Sequence, residues 1–140
     1  MKNIFIKWFM AVNTFLIRVS KGRIGSKLGT QTILILYTIG RKSGQLHGTP
    51  IAYFFRDGKY LVVESNWGKD QHADWYLNLQ KNSRARIEVN GETIKVNVNF
   101  AEGNEYTHLW TYVTSKHSPY LEYQKMTKRK IPIAILNPID

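Results

Sequence analysis

Thr32-Ile33-Leu34-Ile35-Leu36 leads into Tyr37-Thr38-Ile39-Gly40-Arg41-Lys42-Ser43-Gly44-Gln45, and Thr49-Pro50-Ile51-Ala52-Tyr53-Phe54-Phe55 follows shortly after. The apolar run before the loop, Thr32 to Leu36, has strand length, and so does Pro50 to Phe55 after it. Two buried strands therefore deliver a short loop with two cations, a hydroxyl and two glycines. Glycines let backbone N–H groups come close to an anion, and Arg41 and Lys42 supply charge. A phosphate or carboxylate on a cofactor is the natural guest. The same residue types also make an ordinary solvated hairpin turn, so the rest of the chain decides between the two.

Downstream the pattern stays β-rich. Arg56-Asp57-Gly58-Lys59 carries the Asp-Gly hairpin signal, and Tyr60 to Ser65 returns as a strand. Asn66 to His72 is polar and reads as a loop. Asp74 to Asn82 reads as a short helix with Asp74 near its N-cap. Arg84 to Glu88 and Glu92 to Phe100 alternate apolar and polar residues around Asn90-Gly91, which predicts a second hairpin. Glu102 to Lys116 reads as a helix with Tyr106, Leu109, Trp110 and Val113 on one face. Ser118-Pro119 opens a shorter helix holding Tyr120, Tyr123 and Met126. Ile131 to Leu136 is a last strand, with Pro132 favouring its start or an edge. Five or six strands with short helices and no βαβ rhythm predict a mostly β (α+β) small barrel rather than a doubly wound sheet.

Upstream, Asn3 to Val19 carries a narrow polar stripe, Asn3, Lys7, Thr14 and Arg18, on an otherwise apolar helix. That face suits either a membrane interface or packing on the body of the protein or a partner subunit. Lys7 interrupts the run, which is short for a transmembrane span. Residues 20–30 are rich in Gly and Lys and read as a basic connection. The expected organisation is therefore residues 1–30 as helix and linker, and 31–140 as one barrel domain.

Composition narrows the chemistry. The chain has 140 residues, enough for one domain with a real core. It contains no cysteine, so disulfides, thiolate nucleophiles and Cys-based metal sites are excluded. Twenty Lys and Arg against ten Asp and Glu give a net charge of +10, which attracts anionic partners. No recognised nucleic-acid module accompanies that charge. There is no Gly-x-Ser-x-Gly and no His-Glu-x-x-His, and no metal site is expected; His72 and Asp70 read as a surface loop. A chain so short of reactive groups of its own points to a cofactor that carries the chemistry.

Three blocks read together resemble the deazaflavin-dependent nitroreductase and quinone reductase family. The first is Thr38 to Gln45 with Thr49-Pro50. The second is Ser65-Asn66, Gly68 and then Trp75-Tyr76-Leu77-Asn78-Leu79. The third is Tyr120-Leu121-Glu122-Tyr123-Gln124, followed by Thr127, Arg129 and Ile131-Pro132-Ile133. The resemblance implies a split β-barrel of the pyridoxamine-oxidase-like, FMN-binding type. It implies hydride transfer from reduced coenzyme F-420, a deazaflavin with a phosphate and a polyglutamate tail. The implied acceptor is a quinone, a nitro compound or another conjugated molecule. FMN or FAD in the same barrel is the alternative cofactor. A non-catalytic cofactor carrier or basic membrane-binding module is the alternative function.

Carried over residue by residue, the resemblance assigns cofactor binding to Arg41, Lys42, Ser43, Gly44, Thr49, Pro50, Asn66, Lys69 and Trp75. It assigns the acceptor side, and with it catalysis, to Ser65, Tyr120 and Tyr123. Relatives with an amphipathic N-terminal helix associate with membrane. That implies a cytoplasmic protein held peripherally, through residues 1–20, on the inner face of the cell membrane.

Overall fold

The computed structural model describes residues 27–28 and 31–139. The helix expected over residues 3–19 lies outside the described residues, as does the basic stretch up to residue 26. The described strands are β1 (Lys27–Leu28), β2 (Gln31–Ile39), β3 (Leu46–Ala52), β4 (Phe54–Arg56), β5 (Lys59–Val63), β6 (Arg84–Val89), β7 (Glu92–Phe100) and β8 (Ile133–Pro138). The helices are α1 (Asp74–Lys81), α2 (Gly103–Lys116) and α3 (Pro119–Met126), with a 3-10 turn at Asn66–Gly68.

Every pairing is antiparallel. The sheet runs β1-β2-β6-β7-β8-β5-β4, and β3 lies against β2. At the ends of the run β3-β2-β6-β7-β8-β5, strands β3 and β5 approach each other. The sheet is therefore curled into the expected split barrel.

The hairpin signals act as read. Asp57 and Gly58 have φ of 54° and 76°, and Asn90 and Gly91 have 51° and 79°, the paired positive values of tight two-residue hairpin turns. The first loop is shorter than its composition suggested. Tyr37–Ile39 and Leu46–Thr49 continue the β2–β3 ladder, from Ile33↔Ala52 to Ile39↔Leu46, and leave only Gly40–Gln45 outside it. Pro50 is tolerated inside β3 because that strand pairs on one side only, with Ile35 opposite the proline. The strand expected over 50–55 breaks at Tyr53, whose N–H donates to Thr32 O at 3.1 Å. With that break and the added β1, the described strands number eight.

Side-chain alternation builds two cores. Leu34, Leu36, Val62, Ile87, Val89, Val96, Val98, Ala134 and Leu136 point inward with Trp75 and Leu79 of α1. On the other face Leu61, Val63, Ile133 and Ile135 pack under Tyr106 and Val113 of α2 and Tyr120 of α3. Strands β5 and β8 are thus covered on both faces, which is why they read as continuous apolar runs. Strands β6 and β7 keep one wet face and alternate. Tyr106, Leu109, Trp110 and Val113 share the packed face of α2 as the periodicity predicted.

Candidate active site

The first loop is locked onto α1. Gly40 N–H donates to Gln45 O at 2.7 Å, and Gly44 N–H donates back to Gly40 O at 2.9 Å. A Cβ on Gly40 would stand 2.6 Å from Ser43 Oγ and 2.8 Å from His47 Nε2, so a larger residue there would have to displace both side chains. Arg41 then ties the turn to the helix. Its backbone N–H and its Nη1 both donate to Asn78 Oδ1, at 3.1 and 2.9 Å, and its Nη2 lies 3.2 Å from Asp74 Oδ1. Asn78 is buried and passes its own Nδ2–H to Thr38 Oγ1 at 3.1 Å. Lys81 Nζ donates to Arg41 O at 3.2 Å.

The consequence is a division of labour. Arg41 fastens the loop to α1 through its backbone N–H, Nη1 and Nη2. Lys42 is exposed, and neither its ammonium nor the N–H groups of Lys42 and Ser43 have a partner among the described residues. Ser43 Oγ lies 3.2 Å from His47 Nε2 and accepts the Gln45 N–H at 3.2 Å. A turn with free donors and a free cation among the described residues has the chemistry to receive a small anion.

A second loop, Ser65 to Asp70, precedes the N-terminus of α1 in the chain. It is organised by a carboxylate at the end of β5. Glu64 follows Val62 by two positions, so its side chain turns into the barrel and is fully buried. Glu64 Oε1 accepts the Ala73 N–H at 2.6 Å and lies 3.2 Å from His72 Nδ1. Arg129 Nη1 donates to Glu64 Oε2 at 2.7 Å. The same guanidinium donates through Nη2 to Ser65 O at 3.1 Å and through Nε to Lys69 O at 2.9 Å. Thr127 Oγ1 donates to Asp70 Oδ1 at 2.8 Å. The segment after α3 thereby staples the whole loop.

That staple holds an unusual backbone. Asn66, Trp67 and Gly68 have φ of 45°, 59° and 78°, three left-handed residues in succession. Such residues cost on the order of 1–3 kcal/mol when they carry a side chain, and persist only where surrounding bonds over-determine them. Here Asn66 Nδ2 donates to Gln71 O at 2.7 Å, and Gly68 N–H donates to Ser65 O at 2.9 Å. Gly68 also permits close approach to α3, since a Cβ there would meet Met126 Sδ at 2.9 Å and Tyr123 O at 3.1 Å.

The sequence-predicted residues fall into three groups. Arg41, Lys42, Ser43 and Gly44 share the first loop, with Thr49 and Pro50 half-buried on the adjoining edge strand. Ser65, Asn66 and Lys69 share the second loop, and the Ser65 hydroxyl makes no hydrogen bond among the described residues. Trp75 is buried among Leu34, Leu36 and Leu79. Tyr120 is only 6% exposed and packs with Phe54 and His117. Tyr123, one turn along, is half-buried, its ring 6.5 Å from that of Tyr120 and 6.1 Å from that of Trp67.

Glu64, Asn78, Arg129 and Trp67 were not singled out as site residues from the sequence. A signal for Glu64 existed: a carboxylate on the inward register of an apolar strand needs a buried cationic partner. Trp67 had none, because a positive φ at a tryptophan is not written in its neighbours.

His72 stacks on Tyr76 with ring centroids 4.3 Å apart and 8° between planes. Burial raises the Tyr76 phenol above its ordinary pKa, the Glu64 charge adds to this, and Arg129 opposes it. No group of three or more His, Cys, Asp or Glu among the described residues could hold a metal. No helix among them is long and apolar enough to cross a membrane.

This geometry has relatives. A family model described as F-420H(2)-dependent quinone reductase matches residues 9–138. A Mycobacterium tuberculosis F-420H(2)-dependent quinone reductase is 34% identical over 124 residues, covering 85% of this chain and 83% of that protein. The solved structure of an F-420-H2 dependent reductase, FDR-A, superposes with a TM-score of 0.69 at 31% identity, over 75% of this chain and 93% of that one. A Listeria innocua protein assigned as a pyridoxamine 5′-phosphate oxidase superposes with a TM-score of 0.54 at 6% identity, over 77% of this chain and 84% of that one. That last likeness concerns the split-barrel fold alone. With 130 consecutive positions matched by the model, from residue 9 to residue 138, the chain belongs to the F-420H(2)-dependent quinone reductase family.

Proposed function

We propose that this chain is an oxidoreductase that uses reduced coenzyme F-420 to reduce a quinone or another conjugated acceptor. The observation that carries the reading is the Gly40–Gln45 turn. It is fixed to α1 by Arg41 and leaves Lys42 and two N–H groups free among the described residues. Those donors fit a phosphate, and a phosphate is what the deazaflavin cofactor carries. When bound, the reduced deazaflavin supplies the hydride that the acceptor takes up.

The chain's own residues bind, orient and shield. The Lys42 ammonium, with the backbone N–H groups of Lys42 and Ser43, would meet the phosphate beside Gly44, and Lys69 and Lys81 would add attraction for an anionic tail. Thr49 and Pro50 on β3, the strand that continues from that turn, would lie along the deazaflavin. Asn66 is held rigid by Gln71. Ser65 offers an unengaged hydroxyl that can donate to an acceptor oxygen as negative charge develops there. Tyr123 supplies an aromatic flank that keeps water away, and Tyr120 supports it from the core.

Residues 1–20 would hold the protein peripherally on the inner face of the cell membrane, where lipophilic quinones reside. Flotation of full-length protein with anionic liposomes, against a chain lacking those residues, tests that part. The catalytic part is tested by mixing reduced F-420 with menadione anaerobically and following reoxidation of the deazaflavin. Turnover that requires the protein supports the reading. Retention of FMN or FAD in preference to F-420 would replace the cofactor, and retention of F-420 without turnover would make the chain a carrier.

A further inference from the structure

We propose that Trp67 is the acceptor-stacking residue of this site and takes the flat ring of a quinone-sized molecule. The inference rests on the acceptor-side reading above and adds a residue that reading does not contain. Trp67 is 69% exposed, so its indole is not recovered by the core. Its φ of 59° lies in the region where glycine is favoured and a bulky side chain is strained. Glycine would relieve that strain and lose little packing. The strain is nevertheless maintained by three carbonyl and carboxylate contacts from Arg129 and by the Asn66–Gln71 bond. A rigid, strained loop that presents an aromatic ring to solvent points to a ligand for that ring.

The surroundings specify what fits. The Trp67 ring stands 6.1 Å from Tyr123 at 79° between planes, so the two rings form an open corner. Gly68, the next residue, packs its backbone against Met126 and the Tyr123 carbonyl of α3, and Met126 is 64% exposed. The unengaged Ser65 hydroxyl belongs to the same loop, two residues away. A planar conjugated ring can stack on one aromatic face, meet the other edge-on and present its oxygen to a hydroxyl. A sugar or an extended peptide would use neither face fully.

The test compares full-length wild type, Trp67→Gly and Trp67→Phe. Menadione binding is measured at equilibrium by titration calorimetry. Its KM and kcat are measured with reduced F-420, F-420 affinity by fluorescence, and Tm on the same samples. Trp67→Gly is expected to raise the menadione Kd and KM about five- to tenfold. F-420 affinity should stay within about twofold, and Tm should be unchanged or higher, the reverse of what loss of a packing residue would do. Trp67→Phe should restore most of the menadione affinity.

Menadione binding within about twofold of wild type in Trp67→Gly overturns the proposal. So does a lowered Tm with unchanged KM, or loss of anionic-vesicle binding with unchanged menadione affinity, which would make Trp67 a lipid contact. A wild type that binds menadione through Trp67 but never turns it over keeps this assignment and sinks the reductase reading. A wild type that turns menadione over as fast as Trp67→Gly does the opposite.

Discussion

Arg129 Nη1 donates to Glu64 Oε2 at 2.7 Å across 65 residues of sequence, and the Glu64 side chain is wholly buried. The pair joins the end of β5 to the segment after α3 and so fixes both boundaries of the Ser65–Asp70 loop. Through Ala73, the same carboxylate also fixes the first turn of α1, whose Asp74 and Asn78 hold Arg41. The two loops of the site are therefore mechanically connected through one helix end.

Breaking that pair one-sidedly should be expensive. Arg129→Ala leaves a buried carboxylate with its strongest partner removed, which costs roughly 3–5 kcal/mol. Urea denaturation should show a lower midpoint with an unchanged slope. A midpoint shift equivalent to less than about 1 kcal/mol would mean that water replaces the guanidinium and the staple is dispensable.

Asn78→Ala should act on the first loop in the same way. It removes the acceptor of two Arg41 donors and the donor to Thr38, three bonds of about 0.5–1.5 kcal/mol each. The expected outcome is a loss of about 2–4 kcal/mol together with weaker F-420 binding, because the loop is no longer held. Unchanged cofactor affinity in the folded variant would show that the loop keeps its shape without α1.

Tyr120 and Tyr123 should separate cleanly. Tyr120→Ala empties a core position and should cost roughly 3–5 kcal/mol. Tyr123→Ala should cost far less stability and instead raise the KM for menadione several-fold. Equal stability losses in thermal unfolding, with normal kinetics in both, would place both rings in the core.

The Tyr106 phenol gives a pH signature. It is buried, donates to Ile131 O at 2.6 Å, and burial pushes its pKa up to about 12 from 10. A raised acid pKa favours the neutral form in the folded state. Its contribution is therefore fully present below pH ~10 and is lost as pH rises toward ~12. Denaturation midpoints of wild type and Tyr106→Phe should converge across that window. Parallel midpoints would mean that the phenol ionises as readily folded as unfolded.

The sequence was most legible where local chemistry and register agree. Asp57-Gly58 and Asn90-Gly91 announce their hairpins because their backbone angles belong to those residue types. The two-sided burial of β5 and β8 is written in Leu61-Val62-Val63 and Ile133-Ala134-Ile135-Leu136. The first loop was visible in Gly40-Arg41-Lys42-Ser43-Gly44, but that Arg41 is bonded to α1 and Lys42 is not was hidden. What separates them is Asn78, 37 residues away, and no local pattern encodes which cation meets it. Glu64 with Arg129 and the left-handed Trp67 are products of long-range closure for the same reason. Tyr120 and Tyr123 share a helix spacing that leaves their burial open. The distinction comes from Phe54 and His117 closing over Tyr120 alone.

The central claim is that the Gly40–Gln45 loop seats the anionic part of coenzyme F-420. Fluorescence titration of F-420 against wild type and Lys42→Ala tests it most directly. Lys42 makes no bond among the described residues, so its removal should leave Tm unchanged. Loss of a charge-assisted contact should raise the F-420 dissociation constant about tenfold or more. An unchanged dissociation constant in the folded variant, or a wild type that does not bind F-420, would contradict the account.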